Sequence, residues 1–243
     1  MKIKEFFARI FSVRTCFLCD EPISYDDPIP FCDECESSWH DAMDILCSSC
    51  GMTAQNCTCL PERVREINHS IAGFAYFYTP SHFTPVNKMV YTLKESRDYD
   101  ILTFCIRAIH KVAIRLCIKH KLNYKKFVVT YPPRREESIE KYGHDHAKML
   151  AKGLAKELGI GLEEYFYNEG SDAQKSLTKS GRFENAMRSY TLRENIDVKG
   201  KNIFLIDDVM TSGATLCACA RLLKKAGANQ IVPITLARDM RRN

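Results

Sequence analysis

Apolar residues recur with two different periods in the second half of the chain. Short apolar runs at 127–131, 203–206 and 231–236 are typical of buried strands. Between them, apolar positions at helical spacing predict one helix over 147–158 and another over 215–225. Strands that alternate with helices favour an α/β fold, with a mostly parallel sheet that carries helices on both faces.

The pattern upstream of this region adds a strand and two helices. Residues 71–79 form an aromatic, partly alternating run that predicts a strand. An apolar stripe at helical spacing runs through 87–121, and the polar patch at 94–100 predicts that it breaks into two helices. Two later segments are less regular: 162–167 predicts a short strand, and 170–195 predicts a long polar loop with a helical piece.

Residues 16–59 lack such periodicity and are rich in cysteine, so this segment needs a cross-link in place of an apolar core. Eight of the 12 cysteines lie here, in three C-x2-C pairs and one C-x-C pair. They are Cys16, Cys19, Cys32, Cys35, Cys47, Cys50, Cys57 and Cys59. Paired thiolates suit two tetrahedral zinc ions, and because every ligand position is filled by cysteine, both ions are expected to be structural. Sequential grouping of the pairs is the simplest, an interleaved grouping stays open, and iron–sulfur ligation or disulfides are the alternatives.

Charge divides the chain in the same place. Residues 1–66 carry a net charge of −6 and the remainder +11, which makes the +5 of the whole chain. A basic body suits anionic partners such as phosphates or nucleic acid, with ordinary solvated surface charge as the alternative. We therefore expect two domains: an N-terminal helix with a double zinc ribbon at 1–66, and an α/β domain at 67–243.

The N-terminal 13 residues predict a short amphipathic helix, and neither a signal peptide nor a membrane span. Charged residues interrupt the apolar ones and no small-residue cleavage site follows them. No stretch of the chain reaches the roughly 18 to 20 apolar residues that a spanning helix needs. A cytoplasmic location is the expectation.

The sharpest motif is Ile203-Phe-Leu-Ile-Asp-Asp-Val-Met-Thr-Ser-Gly-Ala-Thr215. A buried strand leads to two acids, Asp207 and Asp208, and then to a turn of small and hydroxyl residues that opens a helix. Bare backbone N–H groups and a helix N-terminus favour a monophosphate, while carboxylates suit ribose hydroxyls, directly or through Mg²⁺. The predicted binding residues for phosphoribosyl pyrophosphate (PRPP) are Asp207, Asp208, Thr211, Ser212, Gly213, Ala214 and Thr215. Neither a G-x4-G-K-[ST] loop nor a G-x-G-x-x-G turn after a strand occurs in the sequence.

This motif resembles the PRPP signature of type I phosphoribosyltransferases. With the cysteine pairs before it, the chain resembles the ComF family, the late competence proteins of bacterial natural transformation. Further matching pieces are Leu93-Lys94, residues 128–133 and 142–146, and the spaced Gln174, Leu177, Arg182 and Asn185. The resemblance implies a double zinc ribbon joined to a type I phosphoribosyltransferase-like domain.

The chain departs from the family at two places. Of the family motif matched at 142–146 only Gly143 is unchanged, and 168–172 lacks the arginines that the family carries before Gln174. Candidates to take over contacts with pyrophosphate or DNA are Lys94, Arg134, Arg135 and Arg182.

Three functions follow as hypotheses. The resemblance implies a protein that handles incoming single-stranded DNA beside the competence helicase, with a pocket for PRPP and Mg²⁺. Candidates to stack bases are Tyr131, Tyr142, Tyr165, Phe166 and Tyr167, with core packing as the favoured alternative for each. The other hypotheses are an active phosphoribosyltransferase that moves ribose 5-phosphate onto a nitrogenous base, and a zinc-ribbon adaptor with a vestigial nucleotide pocket.

Overall fold

The structure is a computed structural model that describes residues 14–24, 27, 29–67, 71–79, 84–95, 98–170, 184 and 186–240. The helix predicted over the first 13 residues lies outside the described residues. So do Gln174, Leu177, Arg182, Asn185 and most of the segment predicted as a long loop.

In the described part of the chain, four strands form a parallel sheet of order β1-β6-β5-β2. They are β1 (Gly73–Tyr78), β2 (Phe127–Thr130), β5 (Asn202–Met210) and β6 (Gln230–Asp239). Two short strands, β3 (Phe166–Asn168) and β4 (Tyr190–Leu192), pair antiparallel as a separate ribbon. The expected parallel sheet is confirmed.

The helices lie before, between and after these strands. Within the described ranges they include α1 (Asp33–Met43), α2 (Glu62–Arg65), α3 (Pro85–Glu95), α4 (Tyr99–His120), α5 (Glu136–Tyr142), α6 (His146–Leu158) and α7 (Ala214–Lys225), with a 3₁₀ turn at Tyr124–Lys126. Residues 186–189 are helical as well. The predicted break between α3 and α4 is confirmed, and Asp98 caps α4 by accepting from the backbone N–H of Asp100 and Ile101. Helix α6 ends at Gly159, whose φ of +62° suits a residue without a side chain.

Alternate residues of β5 enter different apolar cores, as strand geometry requires. Phe204 and Ile206 pack in the core that contains α4 and α6. Ile203 and Leu205 pack with Leu216 of α7 on the opposite face. The sheet therefore carries helices on both faces, and the carboxyl ends of its strands are left as the site for ligands.

Three local predictions need correction. Strand β5 extends to Met210, so Asp207 and Asp208 lie within the strand, because the long β6 supplies backbone partners as far as Arg238. The segment 162–167 divides: Leu162 forms a single parallel bridge to Val129, and β3 starts at Phe166. Helix α1 was not expected in the cysteine-rich segment.

The cysteine-rich segment packs on the α/β body through aromatic contacts. Trp39 of α1 stacks on Phe31 with ring centroids 4.9 Å apart, and it meets Phe104 of α4 and Tyr76 of β1 edge-on. Arg14 forms an ion pair with Asp100 at 2.8 Å. The predicted domain division after residue 66 stays a prediction.

No helix within the described ranges is both long and apolar enough to cross a bilayer.

Candidate functional site

The eight clustered cysteines form two groups of four. The first cluster is Cys16, Cys19, Cys32 and Cys35, and the second cluster is Cys47, Cys50, Cys57 and Cys59. In each cluster the four sulfur atoms lie within 4.8 Å of one another, and all eight cysteines are free thiols. The grouping is therefore the sequential one, and neither the interleaved grouping nor disulfides describe this arrangement.

The spacing of the sulfur atoms fits a zinc ion. A tetrahedron with Zn–S bonds of about 2.3 Å has sulfur–sulfur edges of about 3.8 Å. The Sγ atoms of Cys19 and Cys32 are 3.6 Å apart, and those of Cys50 and Cys57 are 3.7 Å apart. Both clusters can hold zinc with four thiolates and no open position, as a structural site requires.

Backbone donors prepare one thiol of each cluster for a metal ion. Burial acts to raise the pKa of the Cys47 thiol, but hydrogen bonds from the backbone N–H groups of Ser49 and Cys50 bring it down to about 6. In the same way, burial is outweighed at Cys16, where the backbone N–H of Leu18 is among the donors that lower the pKa to about 7. The thiolate is the form that binds zinc, so these two residues favour capture of the ion.

The turn between β5 and α7 lines a cavity of about 260 Å³. All five residues predicted to bind phosphate, at 211–215 and here called the phosphate loop, line this cavity. Gly213 takes a φ of +73° and is the N-cap of α7, so no side chain closes the start of the helix. Backbone N–H groups at an uncapped helix N-terminus attract an anion, which agrees with the predicted phosphate site.

The two predicted acids have different surroundings. Asp207 lines the cavity beside the phosphate loop and also a neighbouring cavity of about 360 Å³. Asp208 is buried, and its Oδ2 lies 2.7 Å from Lys94 Nζ and 3.1 Å from His146 Nε2. Asp207 therefore lines both cavities, while Asp208 lines the neighbouring cavity alone and is held there by its ion pairs to Lys94 and His146.

These surroundings move the two pKa values apart. Burial, together with the nearby charge of Asp208, raises the pKa of Asp207 well above its usual value. Burial also acts to raise the pKa of Asp208, but the charges of His146 and Lys94 bring it well below its usual value. Asp208 is therefore the charged member of the pair, and Asp207 is the member that gains charge as the pH rises.

His146 is a site residue that the sequence interpretation missed. The sequence offered it no partner at ligand spacing, yet it begins α6 at the carboxyl end of β2, the same sheet edge at which β5 brings Asp208. Gly143, with a φ of +73°, and the Asp145 cap of α6 set the turn before it. The signal that could have found it is its place in the segment that matches the family motif.

The basic side chains predicted to contact pyrophosphate or DNA also differ in their surroundings. Lys94 is engaged with Asp208, and the guanidinium of Arg134 donates to the carbonyl oxygens of Lys94 and His144. Arg135 lines both cavities next to Asp207. Arg182 lies outside the described residues.

A second feature missed from the sequence is a groove of about 750 Å³ beside these cavities. We call it the arginine groove, and its lining includes Arg134, Arg135, Arg193 and Tyr167 together with Glu136, Glu137 and Glu169. The Arg193 guanidinium lies over the ring of Tyr167 at 4.4 Å, and Tyr167 is about half exposed. Of the other aromatic candidates, Tyr131, Tyr165 and Phe166 are buried, as the core-packing alternative predicts.

Comparisons with known proteins agree with this architecture. The sequence family described as a phosphoribosyl transferase domain matches residues 139–243. Competence protein ComFC of Bacillus subtilis is 25% identical over 241 residues, which cover 92% of this chain and 95% of that protein. These matches confirm the resemblance to the ComF family, with its pairing of a cysteine-rich segment and a phosphoribosyltransferase-like domain.

Other matches are shorter. An adenine phosphoribosyltransferase of Corynebacterium kroppenstedtii is 60% identical over 37 residues, 15% of this chain. The chain spans only 20% of the length of that enzyme. A solved hypoxanthine phosphoribosyltransferase from Staphylococcus aureus superposes with a TM-score of 0.37 and 17% identity, over 58% of this chain and 66% of that one.

Proposed function

We propose that the chain binds a 5-phosphorylated ribose, as PRPP or the 5-phosphate of a nucleotide, in the cavity at the phosphate loop. The observation that carries the proposal is the uncapped start of α7, which opens into that cavity beside Asp207. The backbone N–H groups hold the phosphate, and the carboxylate lies on the side where the ribose hydroxyls follow. When bound with PRPP, Mg²⁺ would neutralise charge between the pyrophosphate and Asp207.

The internal ion pairs of Asp208 give it a positioning role in this proposal. Asp208 carries its negative charge next to Asp207, and its backbone N–H donates to Asp207 Oδ1 at 2.8 Å. Lys94 and His146 hold Oδ2 of Asp208 in ion pairs at the wall of the neighbouring cavity. Asp207 is thereby the carboxylate next to the phosphate loop, and the contact of Asp208 with the ligand stays a prediction.

Calorimetry with PRPP and Mg²⁺ tests the site. We expect Asp207→Asn to weaken binding by about ten- to a hundredfold, the worth of a hydrogen bond to a charged group. We expect the wild-type affinity to rise with pH, because the raised pKa of Asp207 means that its ligand-binding charged form accumulates as the pH increases. The ionisation of the phosphate itself affects both proteins equally. The Asp207→Asn variant should therefore lack only the part of the pH dependence that is due to Asp207.

The matched control is Asp197→Asn, which removes an exposed carboxylate in the same domain. This variant should bind PRPP as the wild type does. Equal affinity of Asp207→Asn and Asp197→Asn would refute the assignment of Asp207.

We further propose that the chain handles single-stranded DNA in competence, through the arginine groove. The full-length similarity to ComFC and the charge of +11 beyond residue 66 support this proposal. Arginines that line an open groove neutralise phosphates, and an exposed tyrosine next to them offers a face for a base. The competence helicase as a partner and a cytoplasmic location stay predictions.

Fluorescence anisotropy with a labelled oligonucleotide across a salt series checks the DNA proposal. We expect binding to fall steeply with salt, and Arg193→Ala to reduce the slope of log K against log[salt] by about 0.7, the value of one single-strand phosphate contact. Arg221→Ala removes an exposed arginine of α7 outside the lining of the arginine groove, and it should leave the slope unchanged. An unchanged slope in Arg193→Ala, or binding that ignores salt, would contradict the proposal.

An active phosphoribosyltransferase is the second candidate function, favoured by the family match over residues 139–243. It would exchange the pyrophosphate of PRPP for a nitrogenous base. Consumption of PRPP in the presence of a panel of bases distinguishes it from binding alone.

A further inference from the structure

The second cluster is joined to the phosphate loop by a very short piece of chain. Its last ligand, Cys59, is followed at once by Leu60 and Pro61, and then by the single turn of α2. Leu60 and Val64 are both buried, in the core that also contains Leu216 of α7. A shift of the second cluster would therefore move side chains packed against the start of α7.

Val64 lies directly against the glycine of the phosphate loop. A Cβ atom added at Gly213 would overlap Val64 Cγ2 and would lie 3.8 Å from the Cβ of Pro61. Gly213 is the residue whose left-handed backbone turns the loop into the helix. The segment that follows the second cluster therefore packs against this turn and supports its position.

A buried arginine makes a second link between the same cluster and the same loop. Arg238 Nη1 lies 3.6 Å from Cys57 Sγ and 4.0 Å from Cys47 Sγ, and the residue is only 1% exposed. In the register of the sheet, Arg238 pairs with Met210, the residue before the phosphate loop. A tetrathiolate zinc centre carries a net charge of −2, so the guanidinium complements it where the sheet meets the loop.

The first cluster has no such connection among the described residues. Cys16, Phe17 and Trp39 belong to the core on the opposite face of the sheet, with Phe104 and Tyr76. One chain thus holds two similar metal sites, of which only the second touches the support of the phosphate loop.

We propose that the metal ion of the second cluster sets the affinity of the phosphate loop for a phosphate monoester. With a thiophilic divalent ion such as Zn²⁺ bound, the segment 60–64 is fixed and holds the turn at Gly213 in its anion-binding form. When the ion leaves, four thiols lose their common centre, the support under Gly213 loosens, and the N–H groups of the loop no longer converge. This inference rests on the proposed function, because it concerns regulation of the same site.

Thermodynamic reciprocity allows a test on the unmodified protein. If the ion strengthens phosphate binding, the phosphate must equally strengthen binding of the ion. We expect ribose 5-phosphate to make one of the two zinc ions harder to extract with a chromogenic chelator, by about five- to a hundredfold in apparent affinity, and to leave the other unaffected. Equal extraction of both ions with and without saturating ribose 5-phosphate overturns the proposal.

Variants identify which ion is involved. Cys35→Ser and Cys50→Ser each remove one half-buried ligand, from the first and the second cluster respectively. Calorimetry should show that Cys50→Ser weakens the binding of ribose 5-phosphate about tenfold more than Cys35→Ser does. Each variant should retain one zinc ion. Equal weakening in the two variants contradicts the coupling.

A third variant keeps both zinc ions bound. It therefore tests the coupling even if the loss of a cysteine ligand in the other two variants unfolds the chain. Val64→Ala removes the contact with Gly213, and we expect it to weaken ribose 5-phosphate binding while zinc analysis still finds two ions. Val112→Ala truncates another buried valine, on α4 and on the other face of the sheet, and should bind as the wild type does. If the wild type binds no ribose 5-phosphate, the proposed function fails and this proposal with it; if it binds and Val64→Ala matches Val112→Ala, this proposal alone fails.

Discussion

Replacing Gly213 with alanine is expected to weaken binding of ribose 5-phosphate by about a hundredfold or more. Alanine at a φ of +73° is strained by about 1 kcal/mol, and its Cβ would overlap Val64, which is itself buried and unable to move aside freely. The chain relieves both by shifting the turn, and the N–H groups of the phosphate loop then lose their common focus. Calorimetry with ribose 5-phosphate measures the loss.

Gly200 supplies the control for this substitution. It has the same φ of +73°, but no heavy atom beyond the two adjacent residues lies within 4 Å of the position that a Cβ would take. Gly200→Ala should therefore lower the free energy of unfolding by about 1 kcal/mol and leave ligand affinity unchanged. If the two variants bind ribose 5-phosphate equally well, the phosphate loop is not the anion site.

Local sequence patterns were sufficient to predict most of the fold and both candidate sites, the cysteine clusters and the phosphate loop. The parallel strands and the main helices were predicted because each has its own apolar period, and α6 stops at a glycine that the sequence displays. The cysteine clusters and the phosphate loop were predicted because their residues are close in sequence. In these cases the determining interactions join residues that are close in sequence, so the sequence alone predicts them.

The missed features depend on contacts between distant residues. Lys94, His146 and Asp208 come from α3, α6 and β5, and only the topology of the sheet brings them together. Helix α1 is mostly polar, with Trp39 as its buried residue, and the packing of Trp39 against Phe104 and Tyr76 supports it. Strand β5 extends beyond its apolar run because β6 supplies hydrogen-bond partners for its backbone. Each of these outcomes is decided by tertiary contacts, which local propensity does not report.

Removal of zinc with a chelator is expected to unfold the cysteine-rich segment while the parallel sheet persists. Binding of zinc to four thiolates contributes about 10 to 16 kcal/mol per site, which this segment has no large apolar core to replace. The single tryptophan reports the change, because Trp39 is 6% exposed and packed on Phe31 in the presence of the native clusters. Its emission maximum should shift to longer wavelength as the ring enters water.

The metal specificity of recovery separates a thiolate site from general salt effects. Zn²⁺ or Cd²⁺ added back under reducing conditions should restore the blue-shifted emission of Trp39, because both ions accept four sulfur ligands. Mg²⁺ at the same concentration should not restore it, since this ion requires oxygen ligands. Far-UV circular dichroism should change little throughout, as the helices on the sheet bury their own apolar faces. An emission maximum that stays in place after two zinc equivalents have been extracted would mean that apolar packing alone holds the part of the segment around Trp39, and that the four cysteines of the first cluster do not serve to fold it.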